Sequence, residues 1–271
     1  HLSNLKINYG VLTGKNEIKT REGKEGVFII DKKTRDELIS RDSSSSLLIH
    51  PVLRGKDVSR YRVKWSDKYI IAMYCGSHRV IEKFPALKDH LYKYRESLEL
   101  RAQVIRGDHH WLELDQNPSK RYVEEFKQPK IIYPVISSGA SFTYDDSGYF
   151  HNDKVFHIVG ENLKFLLGFL NSKLAYWLIR HYGPCLGDSG FEFRKIFVEK
   201  LPIPKISVEK QKLFIEIVNK ILVITKSSDY LENPAKQSRV KEYERQIDQM
   251  VYKLYGLTKE EIEIIERSGA N

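Results

Sequence analysis

Apolar residues come in short runs through the front of this chain and in long, evenly stepped stripes at its end. Val27–Asp31, Leu47–Leu53 and Tyr69–Tyr74 are brief apolar segments bounded by polar or turn-forming residues, which is the pattern of half-buried strands. Pro85 suits the first turn of a helix, and Leu87, Leu91, Tyr94, Leu98 and Ile105 continue from it at near-helical spacing. Lys130–Ile136 reads as a buried strand. Ser141–His151 reads as a hairpin, with Asp145-Asp146-Ser147-Gly148 as its turn and Tyr149-Phe150 beginning the return. Lys154–Val159 is another strand. Asn162 stands where a cap belongs, and Leu163–His181 is apolar nearly all round, as expected of a central helix.

After the loop Gly183–Gly190 the chain exits through Leu201-Pro202-Ile203-Pro204-Lys205 and the pattern changes. From Ser207, Phe214, Ile217, Ile221 and Ile224 form a narrow stripe suited to one helical partner. Ser, Asp, Asn and Pro234 interrupt it, and a second stripe follows at Val240, Tyr243, Ile247, Met250 and Leu254. Gly256 suits a left-handed cap, and Thr258 with Glu261 forms a capping box for a last short helix. The expected fold is therefore α+β: a mixed-sheet unit over residues 1–205 and a helical hairpin over 206–271. The hairpin packs on its own domain or serves as a docking element for a partner; the pattern fits both.

Charge sharpens this division. The chain of 271 residues carries a formal net charge of +9. Residues 1–70 hold 15 Lys and Arg against 9 Asp and Glu, whereas residues 206–271 hold 11 of each. The excess lies entirely in front of the helical tail, so a polyanion is expected to meet the front. The two cysteines, Cys75 and Cys185, are far apart and lack a CxxC partner, which argues against a thiolate zinc site and a disulfide framework. A reducing, cytoplasmic compartment is the simplest reading. No apolar run reaches membrane-spanning length. The chain opens at His1 in mid-pattern, and is expected to be part of a longer protein.

Catalytic patterns are weak. There is no glycine-rich cofactor loop after a strand and no phosphate-cradling loop. Ile131-Ile132-Tyr133-Pro134 faintly echoes an amino-methyltransferase motif but lacks the amide or carboxylate that would accept the target amine's hydrogens. A metal-dependent nuclease needs paired carboxylates and a nearby lysine. Asp108 and Glu113 have usable spacing, but Asp115 stands where the lysine belongs, and Asp188, Glu192 and Arg194 are an equally imperfect set. His109 and His110 point apart in any regular structure, and no third ligand sits at fixed spacing. No catalytic residue and no metal site is expected.

What remains is a binding surface. Leu53–Lys64 places Arg54, Lys56, Arg60, Arg62 and Lys64 around a single acid, Asp57. Arg54, Lys56, Arg60 and Lys64 are suited to phosphates, an arginine fork to guanine edges, and Gly55 to a close backbone approach. Lys15 and Asn16, His78 and Arg79, and the loop carrying Ser137 and Ser138 are further candidates. A solvated charged face or plain loops are the structural alternatives.

The order of these pieces resembles the target recognition domain of DNA adenine methyltransferases and fused type IIG restriction–modification enzymes, and also half of a type I specificity subunit. The resemblance is carried by Gly10-Val11-Leu12-Thr13-Gly14, Phe28-Ile29-Ile30-Asp31, Leu53–Val58 with Arg60-Tyr61, Lys130–Pro134, Leu166–Leu174, Leu201-Pro202-Ile203-Pro204 and Ile247–Leu257. Residues 15–25 look like an insertion in a usually tighter segment. The resemblance implies double-stranded DNA as partner, no cofactor in this chain, and an upstream methyltransferase domain or subunit holding S-adenosylmethionine, with Mg if a nuclease is attached. The rival readings are a protein-bridging module of type I-like design, a standalone metal-dependent nuclease, and single-stranded RNA binding.

Overall fold

The structure, a computed structural model, describes residues 5–20, 23–116 and 118–268. Of the expected insertion, residues 21 and 22 lie outside the described residues, and Glu17–Thr20 pairs with Gly23–Gly26 as a two-stranded ribbon. The fold is α+β, as expected. Two four-stranded sheets form its frame. The first contains β1 (Lys6–Tyr9), β5 (Lys130–Pro134), β6 (Thr143–Asp145) and β8 (Val155–Val159), in the antiparallel order β1-β8-β5-β6. The second contains β2 (Ile29–Asp31), β3 (Ile49–Leu53), β4 (Lys68–Ile71) and β7 (Phe150–His151), in the order β7-β3-β4-β2, with a parallel β7–β3 pair that makes it mixed.

Alternation sorts the side chains of the first sheet. Ile7, Ile131, Tyr133, Phe156 and Ile158 enter one large core, while Ile132 and Val155 enter a small cluster with Leu53 and Val58 on the other face. The second sheet has a core of its own, built with α1 (Lys32–Arg41) and α2 (Pro85–Tyr92).

Three expected elements differ. The hairpin over 141–151 turns where expected, but its return strand leaves the first sheet: Phe150 and His151 pair with Val52 and Leu53 of the second. Asp145 directs this exit, because its carboxylate accepts from Ser147 N (2.9 Å) and Tyr149 N (3.1 Å) while binding Lys130. The helix expected over 163–181 is two helices, α3 (Leu163–Leu170) and α4 (Lys173–Tyr182). Between them the Asn171 amide binds both backbone groups of Phe142, at 3.1 and 2.9 Å, and Ser172 caps α4. Asn162 precedes α3 in a left-handed conformation and makes no capping hydrogen bond with its side chain. The stretch 85–105 is three short helices, Pro85–Tyr92, Arg95–Glu99 and Ala102–Ile105, with Arg101 buried between the last two and Ile105 68 % exposed.

The tail is α5 (Val208–Thr225), α6 (Pro234–Tyr255) and α7 (Lys259–Ser268). The Ser207 cap, the left-handed Gly256 (φ +64°) and the Thr258–Glu261 capping box all form. The buried face of α5 is broader than a single-partner stripe. Phe214, Val218, Ile221, Leu222 and Thr225 are covered, because α5 meets both α3 and α6. The large core runs without a break from Phe169 in the front unit to Ile221 and Ile247 in the tail. Gly168 makes the closest approach: a Cβ there would lie 3.1 Å from Val218 Cγ2 and 3.8 Å from Ile247 Cδ1. Among the described residues no helix is long and apolar enough to cross a membrane.

Gly168→Leu is expected to destabilise the chain by about 1–3 kcal/mol in urea denaturation, through overpacking of the α3–α5 contact. Asp248, 3 % exposed, accepts from Lys173 N at 2.8 Å at the start of α4. Burial pushes its carboxyl up from 3.8 to about 6, against the Lys173 N–H, Arg60 and Lys173, which pull it down. Between these values the folded chain binds the proton that the unfolded chain has lost. The group's contribution is therefore complete below about pH 4 and falls by about 3 kcal/mol as pH rises through 6. Asp248→Asn is expected to flatten that part of the stability–pH curve and to be more stable than the parent at pH 7, as measured by denaturation across pH.

Candidate nucleic-acid interface

The basic segment after β3 folds as a tight hairpin. Gly55–Asp57 forms one turn, Val58–Ser59 pairs with Arg62–Val63, and Lys64 N donates to Asp57 O at 2.8 Å. Its five cations divide by direction. Arg54 closes the base: its backbone N and Nε donate to Asp57 Oδ2 at 2.8 and 3.2 Å, and Nη2 donates to Ser66 Oγ at 2.7 Å. Arg60 pairs with Glu244 of α6, and Arg62 lies over the Tyr230 ring at 5.9 Å. Lys56 and Lys64 are exposed. Gly55 has ordinary backbone geometry, and a Cβ there would lie 3.3 Å from Lys154 O and 3.6 Å from Lys154 Cβ. The parallel β7–β3 pairing brings Asn152–Lys154 beside this hairpin, a neighbour no local pattern indicates.

The other candidates sort the same way. Asn16 turns inward, its Oδ1 accepting from Phe28 N (3.0 Å) and Ile29 N (2.6 Å), while Lys15 is exposed. His78 is oriented by a 2.6 Å bond from Nδ1 to Glu113 and stacks on His110 at 4.4 Å; Arg79 beside it is exposed. Ser137 Oγ pairs with Ser141 Oγ at 2.9 Å, and Ser138 is exposed with its carbonyl accepting from Tyr176 OH at 2.6 Å.

Arg101 joins the Lys15 and Arg79 loops. It is 5 % exposed and donates to Leu98 O, Thr13 O, Asp115 Oδ1, Trp111 O and Glu113 O at 3.2, 3.3, 2.9, 2.6 and 2.8 Å. These bonds use all five guanidinium hydrogens. Gly14 is required beside it: its φ is +70° and a Cβ would overlap the Asp115 carboxylate at 2.1 Å. The carboxylates named for the nuclease alternative are engaged by neighbouring groups. Asp115 is neutralised by Arg101, Glu113 holds Gly76 N and His78, Asp108 pairs with Arg106, and Glu192 pairs with Arg194. Among the described residues no group of three or more His, Cys, Asp or Glu has metal-holding geometry.

Between the sheets lies a buried polar network. Lys130 Nζ contacts Asp145 Oδ2 and Phe126 O, both at 2.5 Å, with both side chains essentially inaccessible. His157 Nδ1 lies 3.0 Å from His151 Nε2. Burial, with the Lys130 and Lys6 charges, brings His157 down to about 3, and burial with His157 holds His151 well below its usual value. Both imidazoles are neutral near pH 7, so this network neutralises and orients the chain and has no free base facing solvent.

Residues 50–203 match the model of the TaqI-like C-terminal specificity domain. The chain belongs to that family. The TaqI-like specificity domain starts within the parallel-paired strand β3 and ends at the Pro-rich exit before α5. Its curated relatives include the type II methyltransferase M.BstVI of Geobacillus stearothermophilus, 23 % identical across 96 % of this chain and 41 % of the relative. M.BanIII of Aneurinibacillus aneurinilyticus is 24 % identical across 65 % of this chain and 30 % of the relative. The chain thus spans less than half the length of these methyltransferases. The fold matches that of the type IIL restriction–modification enzyme MmeI, solved in complex with DNA, with TM-score 0.68 and 15 % identity over 93 % of this chain and 33 % of MmeI.

Within this specificity domain, Asp145→Asn is expected to cost about 3–5 kcal/mol by leaving the Lys130 ammonium buried without its counter-charge. A midpoint shift in urea denaturation measures it. A loss below 1 kcal/mol would show that Lys130 is relieved by some other group.

Proposed function

We propose that this chain reads duplex DNA as the specificity part of a longer restriction–modification methyltransferase. The observation that carries the reading is the family match over residues 50–203, which includes the basic hairpin, supported by a fold shared with MmeI, an enzyme solved with DNA. In this reading the S-adenosylmethionine site and the methyl-transfer chemistry belong to the remainder of the protein, as in relatives that are type II methyltransferases. The target base would be flipped out toward that remainder. The work takes place in the cytoplasm, with the DNA. Residues 1–205 supply the contacts and residues 206–271 support them.

The exposed lysines Lys56 and Lys64, with Lys15 and Arg79, neutralise phosphates, and Ser137 and Ser138 lie in a loop suited to groove contacts. Arg54, Arg60 and Arg62 act indirectly, by holding the hairpin to Asp57, Glu244 and Tyr230. His78 orients its loop through Glu113.

Fluorescence anisotropy of the intact chain with labelled duplexes, titrated from low to moderate salt, tests this. About four phosphate contacts give a slope of about −4 in log K against log salt. Lys56→Ala and Lys64→Ala are each expected to reduce its magnitude by about 0.9. A flat titration, or equal affinity for single-stranded RNA, would reject duplex DNA as the partner.

A further inference from the structure

Three successive residues at the tip of the basic hairpin are held by three different parts of the tail. Arg60 Nε donates to Glu244 on α6. The Tyr61 carbonyl accepts from Thr225 Oγ1 on α5 at 2.8 Å. The Arg62 guanidinium covers the ring of Tyr230, in the link between the two helices, at 5.9 Å. The front unit closes the remaining side, since Tyr61 N donates to Phe142 O at 2.9 Å and the Asn171 amide holds both backbone groups of Phe142.

The hairpin cannot orient itself. Each of its strands is two residues long, too short for the ladder to fix an angle against the sheets. Tyr61 is 2 % exposed with φ at +57°, a conformation that bulky residues avoid and keep only where surrounding contacts over-determine it. Those contacts come from both sides: Phe142 of the front unit holds its N–H and Thr225 of the tail its carbonyl. Arg60 also shares a 500 Å³ cleft with Lys173, Lys241 and Arg245, where the Glu244 carboxylate is its counter-charge.

We propose that Thr225, Tyr230 and Glu244 are positioning residues for DNA recognition: they set the angle of the hairpin that presents Lys56 and Lys64, and they act on DNA only through it. The proposal rests on the DNA-reading function given above.

The experiment uses the intact chain with Glu244→Gln, Thr225→Val, Arg60→Ala and the Lys56→Ala/Lys64→Ala pair. Hydrogen exchange without DNA reads the clamp directly: the amides of Tyr61 and Lys64 are expected to exchange faster in Glu244→Gln and Thr225→Val, while strands β5 and β8 stay protected. Duplex affinity is expected to fall about tenfold in each clamp variant, the scale of coupling between contacting groups, and not to fall further when the clamp change is added to the lysine pair. Arg60→Ala should behave as Glu244→Gln does. Higher DNA affinity in Glu244→Gln would mean that Arg60 is a phosphate ligand masked by Glu244, and would overturn the proposal. So would unchanged exchange at Tyr61 and Lys64, or additive losses with the lysine pair. If the parent chain bound no duplex, the DNA reading itself would fail, and the exchange result would still report whether the clamp exists.

Discussion

Lys130 places an ammonium between two sheets with no route to water, and the surrounding chain is arranged to tolerate it. Asp145 must sit against it, and Asp145 also holds the N–H groups of Ser147 and Tyr149. That double duty ends β6 and sends the chain across to the second sheet, where Phe150 and His151 pair beside Val52 and Leu53. The crossing brings Asn152–Lys154 next to Gly55 and the basic hairpin. A local electrostatic demand thus sets which sheet a strand joins, and with it the neighbours of the surface proposed to meet DNA.

The same economy governs the cations. A count of Arg and Lys treats the segment 54–64 as one basic face, yet a guanidinium and an ammonium behave differently near protein surface. Arg54 and Arg60 find carboxylates, because a planar fork with several donors is readily paired at an interface, and Arg62 lies over an aromatic ring. Lys56 and Lys64 remain exposed, as a compact, strongly hydrated charge prefers. Arg101 is the extreme case. It supplies no outward charge at all, and its five bonds bind the Gly14 and Glu113 loops into one unit.

The tail extends this logic. Its helices are continuous with the core of the front unit, and further polar contacts from them hold the hairpin tip. The tail and the hairpin are therefore joined through Tyr61 and its two neighbours.

Local chemistry was enough to read the α+β class, the tail helices with their Ser207, Gly256 and Thr258–Glu261 ends, and the turn at Asp145–Gly148. Each depends on groups within a few residues of one another, whose preferences hold in any surroundings. The tertiary structure alone decided that Phe150 would leave its hairpin, that Asn171 would split a helix to hold Phe142, and that Arg60 would face Glu244, 184 positions away. It also decided which cations stay outside. Those outcomes turn on buried polar groups finding partners far along the chain, and the cost of leaving such a group unpaired exceeds the local preferences that a sequence pattern records.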